Sequence, residues 1–94
     1  MWIVTKRFVD INDNEDPILE DCNVGSANIP KDYPIEKLPY KFRMLTDDNE
    51  VMAIGYSDDC STDDAFAPLD DYGEGAFGCT MIEYINEAGE WELL

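Results

Sequence analysis

Residues 40–56 read YKFRMLTDDNEVMAIGY, and the first six of them carry a period-two alternation. Apolar side chains alternate there with basic ones, Tyr40, Phe42 and Met44 against Lys41 and Arg43. This is the pattern of a β-strand with one face turned to the core. The sequence therefore predicts a strand over residues 40–45, with its aromatic residues on the buried face.

The polar quartet at residues 47–50 is competent to turn, and the apolar run VMAIGY follows it at residues 51–56. Together the two runs predict a β-hairpin. On its second strand we expect the larger side chains to be buried and the small ones to lie opposite: Met52, Ile54 and Tyr56 against Ala53 and Gly55.

The turn of that hairpin opens the acidic part of the chain. Residues 44–94 hold 14 acidic side chains and no basic one, whereas residues 1–43 hold 8 acidic and 6 basic ones. Nearly all of the formal net charge of −16 thus belongs to one half. Such a field favours a basic partner, and we predict a partner-binding surface made of Asp47, Asp48, Glu50, Asp58, Asp59, Asp63, Asp64, Asp70, Asp71 and Glu74.

A short helix is predicted after residue 60. Ser61 or Thr62 can cap its N-terminus, and Asp63 and Asp64 then occupy the first turn, where carboxylates are favoured. Pro68 is expected to end it. A flexible segment that contains Gly73, Gly75 and Gly78 is expected next, as the approach to a final hairpin. That hairpin pairs residues 79–85 with 91–94, and Gly89 in its turn takes a positive φ.

The N-terminal half contains one clear strand. Residues 2–9, WIVTKRFV, are rich in β-branched and aromatic residues. Residues 10–39 contain four prolines and no sustained period, which predicts a long irregular connection. The expected architecture is a single α+β domain over residues 1–94, a small antiparallel sheet of about four to five strands with one short helix.

Several classes of function are disfavoured. The chain has no histidine, the usual general base and zinc ligand, and Asp-Asp pairs in polar loops are typically solvated, so we predict no catalytic site, no metal site and no cofactor. Six basic residues against 22 acidic ones argue against direct binding of nucleic acid. No apolar run approaches the length of a membrane span, and we expect no membrane association.

One stretch imitates a calcium loop. Asp10, Asn12, Asn14 and Asp16 fall at alternate positions of a twelve-residue loop that ends on Asp21. The glycine that such a loop needs for its turn is replaced by Glu15, and the last ligand is not glutamate. An Asn/Asp-rich turn without a specific ion is the better interpretation, and calcium binding stays open.

The three cysteines, Cys22, Cys60 and Cys79, are odd in number and lack a C-x-x-C spacing. This favours reduced thiols in a cytosolic setting over a disulfide framework. The oligomeric state is open, since a strand ending at Leu93 and Leu94 can leave an unpaired edge.

The segments FRMLTDDNEVMAIGYSDD, FAPLDDYG, GCTMIEY and GEWELL follow one another between residues 42 and 94. In these segments the chain resembles small uncharacterised bacterial and mobile-element proteins that share a C-terminal half. The resemblance covers a little over half of the chain and implies a compact bacterial or phage-derived domain, with no activity to carry over. By charge and size alone, the chain is similar to phage-encoded acidic DNA mimics of the anti-CRISPR type.

Two functional hypotheses follow from the acidic half. Carboxylates held outward on an ordered scaffold can replace phosphates in the basic groove of a nucleic-acid-binding protein, as in an anti-CRISPR or antirestriction inhibitor. Alternatively, an immunity or antitoxin protein uses such a face against a basic toxin nuclease, or the domain is an accessory one whose acidity is incidental. Phe66 is expected to belong to the core, whereas Tyr72 and Phe77 are left open between core and anchor roles.

Overall fold

An antiparallel sheet forms the body of the protein, for which the computed structural model describes residues 1–11, 17–26, 29–30 and 32–94. Its six strands are β1 (Trp2–Ile11), β2 (Pro17–Gly25), β3 (Tyr40–Leu45), β4 (Val51–Ser57), β5 (Met81–Ile85) and β6 (Trp91–Leu93). Their order across the sheet is β2-β1-β4-β3-β5-β6. The small antiparallel sheet agrees with the sequence, and the predicted count of four to five strands is wrong.

The extra strand is β2, which lies inside the segment predicted to be irregular. It pairs antiparallel with β1. Two ion pairs reinforce this pairing, Lys6 with Asp21 at 2.9 Å and Arg7 with Glu20 at 3.0 Å. An outer strand needs fewer apolar side chains than a central one, which explains why its polar sequence gave no strand signal. Of the connection that follows it, the structure describes a 3₁₀ turn at Ile35–Lys37.

The predicted hairpin of β3 and β4 is present and Met52 is buried as predicted, but beyond Met52 the faces of β4 are reversed. Phe42 lies opposite Gly55 and Met44 opposite Ala53, so the small residues share the core-facing side, and Ala53 is completely buried. Ile54 lies on the other face and is half-buried. The small residues are required there because large side chains from the neighbouring strands already fill that layer.

A helix over residues 63–77 crosses from β4 back to β5 and is called the crossover helix below. Thr62 caps it, since its hydroxyl accepts a bond from the Asp64 N–H at 3.3 Å. The prediction that the helix ends before Pro68 is wrong. Pro68 has no N–H to donate to the Ala65 carbonyl three residues earlier, and the Tyr84 hydroxyl donates to that carbonyl instead, at 2.8 Å.

The glycines that follow have different roles from the one predicted. Gly73 and Gly75 lie inside the crossover helix instead of forming a flexible approach. Gly78 ends the helix with a φ of 68°, a left-handed conformation that glycine adopts without strain. The final hairpin is confirmed in β5 and β6, where Ile85 lies opposite Trp91 and Gly89 has the predicted positive φ, 81°.

The core lies between the crossover helix and the sheet. Its buried members come from β1, β3, β4, β5 and the helix, and include Trp2, Val4, Phe42, Met44, Ala65, Ile82 and Tyr84. Phe66, Tyr72 and Phe77 are half-buried and pack against this cluster. The prediction for Phe66 is thus confirmed, and the two residues left open also face the core.

Replacing Tyr84 by Phe is expected to lower the free energy of unfolding by about 1–3 kcal/mol, because the Ala65 carbonyl loses its donor inside the core. Urea unfolding measures the change. Tyr40→Phe is the matched control, since Tyr40 is 38% exposed and its variant should stay within about 0.5 kcal/mol of the wild type. Equal stabilities for the two variants would contradict the buried bond.

The same variant tests a pH dependence. Burial raises the pKa of Tyr84 from 10.0 to about 12, so the folded state keeps this hydroxyl protonated where the unfolded state has lost the proton. The associated stability is complete below pH 10 and is lost as the pH rises towards about 12. Tyr84→Phe should therefore show a shallower loss of stability across that range, measured by thermal unfolding.

Candidate acidic binding surface

The ten predicted contact residues fall in two separate parts of the fold. Asp47, Asp48 and Glu50 lie in and beside the β3–β4 turn and form what we call the turn group. The other seven lie between β4 and the end of the crossover helix, at Asp58, Asp59, Asp63, Asp64, Asp70, Asp71 and Glu74. The fold therefore does not gather the ten carboxylates at one point.

The crossover helix carries the larger set. Its five acidic side chains are all exposed and are called the carboxylate row: Asp63, Asp64, Asp70, Asp71 and Glu74. Asp63 and Asp70, like Asp64 and Asp71, are seven residues apart, a spacing that returns side chains to the same side of a helix. In agreement, Asp64 and Asp71 line one shallow cleft of about 320 Å³, together with Met1 and Ser26.

No basic side chain neutralises the carboxylate row within the described part of the chain. The ion pairs found there join Lys6, Arg7 and Arg43 to acidic residues elsewhere in the fold. Asp58, next to the row, is paired at 2.8 Å with the N-terminal ammonium of Met1. The row thus lies on an ordered element with no Lys or Arg partner among the described residues.

Asp59 has a local structural task. Its carboxylate accepts hydrogen bonds from the Ser61 N–H at 2.9 Å and the Thr62 N–H at 3.0 Å, and also from the Thr62 hydroxyl. These bonds lower the pKa of Asp59, the hydroxyl contributing most. Because its oxygens are engaged in shaping the loop before the helix, Asp59 is less suited than the row to contact a partner.

The turn group is held by hydrogen bonds of the hairpin. The Thr46 N–H donates to the Glu50 carbonyl at 3.1 Å, and the Asn49 N–H donates to the Thr46 carbonyl at 2.9 Å. Asn49 has a φ of 63°, a left-handed conformation that asparagine tolerates in turns. The Thr80 hydroxyl donates to Asp47, which ties the start of β5 to the turn.

The sequence patterns do not predict a second cleft. It has a volume of about 510 Å³ and is lined, besides Asp48, Asn49 and Glu50 of the turn, by residues of the sheet: Leu19, Arg43, Val51, Ile54 and Trp91. These residues come from four different strands, and only the strand register brings them together. Arg43 and Trp91 carried no sequence signal for a site because nothing in their local patterns differs from ordinary strand residues.

Other kinds of site find little support in the described residues. No group of three Cys, Asp or Glu there is placed to hold a metal ion, and none of the described helices is long and apolar enough to cross a membrane. Residues 12–16 of the calcium-like loop lie outside the described residues. Cys22, Cys60 and Cys79 are free, and burial raises the pKa of Cys79 to about 11.

Comparison of the chain with models of protein families, with curated proteins and with solved structures gives no match. The resemblance to mobile-element proteins and to acidic mimics therefore stays a prediction.

Proposed function

We propose that the protein is an inhibitor that occupies the basic nucleic-acid groove of a DNA- or RNA-handling protein by mimicking phosphates, as a phage or plasmid anti-CRISPR or antirestriction factor. The observation that carries the proposal is the carboxylate row, exposed on one ordered helix and without a Lys or Arg partner among the described residues. Lys and Arg that bind phosphates in such a groove attract carboxylates by the same charge interaction.

The spacing within the row supports this proposal. Residues seven apart on a helix, such as Asp64 and Asp71, are separated by roughly 10 Å along its axis. Successive phosphates of one DNA strand advance about 3.4 Å along the duplex axis, so the separation corresponds to about three phosphate steps. Asp47, which accepts a hydrogen bond from the Thr80 hydroxyl, extends the acidic surface beyond the end of the helix.

The charge of the whole chain sets how the inhibitor acts. A net charge of −16 repels nucleic acid, so inhibition proceeds through the protein partner and not through binding of DNA or RNA. The same field accelerates association with a basic partner and makes it sensitive to salt. We place this activity in the cytoplasm of a bacterial host cell, which is supported by three free cysteines.

Neutralising the row tests the proposal. A variant carrying D64N, D70N, D71N and E74Q is expected to bind its partner about tenfold more weakly or worse, because several charge pairs are lost together. The matched control carries D32N, E36Q, E87Q and E90Q, four exposed acids elsewhere, and changes the net charge by the same amount. The control should lose much less affinity.

The measurement is capture from a bacterial lysate at about 0.1 M and about 0.5 M salt, followed by affinity measurements on the captured protein. Duplex DNA or RNA should displace it, and high salt should release it. Capture of a toxin nuclease that nucleic acid does not displace would favour the immunity or antitoxin alternative. If the two variants lost the same affinity, the acidic residues would act only through an unspecific electric field, and this would contradict mimicry.

A further inference from the structure

The cleft of about 510 Å³ lies on the sheet face opposite the crossover helix. Arg43 and Ile54 lie opposite each other between the Phe42–Gly55 and Met44–Ala53 pairs of the hairpin. Because side chains alternate along a strand, Arg43 and Ile54 point away from the helix side. The cleft is therefore built on a different surface from the carboxylate row.

The sheet curves around this cleft. Leu19 belongs to β2 and Trp91 to β6, which are the two outer strands of the sheet, yet both line the same cavity. Two outer strands can share a cavity only if the sheet is bent towards it. Leu19, Val51, Ile54 and Trp91 are half-buried and give the cleft an apolar wall.

The positive charge inside the cleft is already balanced. The Arg43 Nε donates to a Glu83 carboxylate oxygen at 2.6 Å, and the Arg43 guanidinium carbon lies 4.4 Å from the centre of the Trp91 ring. Both members of the ion pair are largely covered, with side chains 28% and 21% exposed. Arg43 thus stiffens the wall and does not offer a free charge to an anionic ligand.

The mouth of the cleft is negative. Asp48 and Glu50 line it, and neither is paired with Lys or Arg within the described ranges of the chain. Hydrogen bonds of the turn hold the backbone of both residues: the Asp48 N–H donates to the Thr46 hydroxyl at 3.3 Å, and the Glu50 carbonyl accepts from the Thr46 N–H at 3.1 Å. An apolar wall below two uncompensated carboxylates suits a ligand with an aliphatic stem and a cationic head.

We propose that this cleft seats one arginine or lysine side chain of the basic partner, with the stem against Ile54 and Trp91 and the cationic head at Asp48 and Glu50. That the occupant belongs to a basic partner rests on the proposed function. The preference of the cleft for a cationic side chain does not rest on it. An anionic ligand meets two carboxylates at the mouth, and a second copy of this chain brings a further charge of −16. Charge complementarity therefore selects a basic side chain.

Titration with a blocked amino acid tests the cleft without any partner. N-acetyl-arginine methylamide is added to the ¹⁵N-labelled protein, and the indole N–H signals of Trp91 and Trp2 are followed by NMR. Trp91 lines the cleft, whereas Trp2 is 4% exposed in the core and serves as the internal reference. We expect a saturable shift of the Trp91 signal alone, and no such shift with the uncharged norleucine analogue.

Two variants locate the binding. D48N with E50Q should weaken binding of the arginine amide about fivefold, because each exposed charge contributes only modestly. D32N with E36Q removes the same charge from two exposed acids outside the cleft and the carboxylate row and should leave the affinity unchanged. The proposal is overturned if Trp91 does not shift, if the norleucine analogue shifts it equally, or if both variants weaken binding alike.

The outcome separates the cleft from the proposed function. If the arginine amide binds but no nucleic-acid-binding protein is captured from the lysate, the phosphate-mimic proposal fails and the cleft proposal stands. If a partner is captured and displaced by DNA while Trp91 never shifts, the cleft proposal alone fails.

Discussion

Replacing Gly55 by Ala is expected to lower the free energy of unfolding by roughly 3 kcal/mol or more, since a close backbone contact leaves no room for a methyl group. A Cβ atom at this position would lie 2.6 Å from the Phe42 Cζ and 3.0 Å from the Val4 Cα, and would overlap the Ile3 carbonyl oxygen. The Phe42 ring can move, but the backbone of β1 cannot yield without loosening its pairing with β4.

Urea unfolding of three glycine variants measures this effect. At Gly73 a Cβ would meet the flexible end of Met44, 2.5 Å from its sulfur, so Gly73→Ala should show an intermediate loss. At Gly75 an added Cβ would meet no other part of the described fold within 4 Å, and because alanine favours a helix, Gly75→Ala should be neutral or stabilising by up to about 1 kcal/mol. A Gly55→Ala protein as stable as Gly75→Ala would contradict the close approach of β1 and β4.

Gly55 also shows where sequence patterns mislead about a sheet. The alternation in residues 40–45 predicts β3 and its buried face because large apolar and charged residues alternate there. In β4 the pattern predicts the larger residues on the core side, and Met52 is buried there, but beyond it that side takes Ala53 and Gly55. The volume that neighbouring side chains such as Phe42 leave free decides which residues fit on the core side. The sequence of a single strand does not show that volume.

The missed strand and the missed half of the helix have similar causes. β2 pairs through its backbone and through ion pairs such as Lys6 to Asp21. Cys22 and Val24 are its residues that pack against the core, and two alternate positions are too few to predict a strand. Pro68 is predicted to end the helix, yet the hydrogen bond that it cannot make is replaced by one from Tyr84, which lies 19 residues from the Ala65 acceptor. Contacts between distant residues override local propensity in both places.

The candidate surfaces were predictable to different degrees. Charge counting alone identifies the acidic half, and exposure of the carboxylate row follows from the cost of burying unpaired carboxylates. The engagement of Asp59 by Thr62 needs the local loop geometry. The second cleft depends on sheet curvature that brings Leu19 near Trp91, and no local pattern encodes it.

Truncating Phe42 to Ala is expected to lower the free energy of unfolding by about 3–5 kcal/mol, because a large cavity opens in a packed core. Phe42 is completely buried in β3, and its ring centre lies 5.7 Å from that of Tyr84. Tyr84 in turn supports the crossover helix through the Ala65 carbonyl. The variant should therefore loosen the layer that carries the carboxylate row as well as the sheet.

Tyr40→Ala is the matched control for this truncation, since Tyr40 lies on the same side of β3 but is 38% exposed. This variant should lower the free energy of unfolding by about 1 kcal/mol or less.

Thermal unfolding at about 0.05 M and 0.5 M salt adds a second test. Salt screens the mutual repulsion of a chain with a net charge of −16 and should raise the melting temperature of both variants and the wild type. It cannot refill the cavity, so the gap between Phe42→Ala and Tyr40→Ala should persist at both salt concentrations. A gap that closes in high salt would mean that charge repulsion, and not the packing of Phe42 under the crossover helix, limits the stability of the fold.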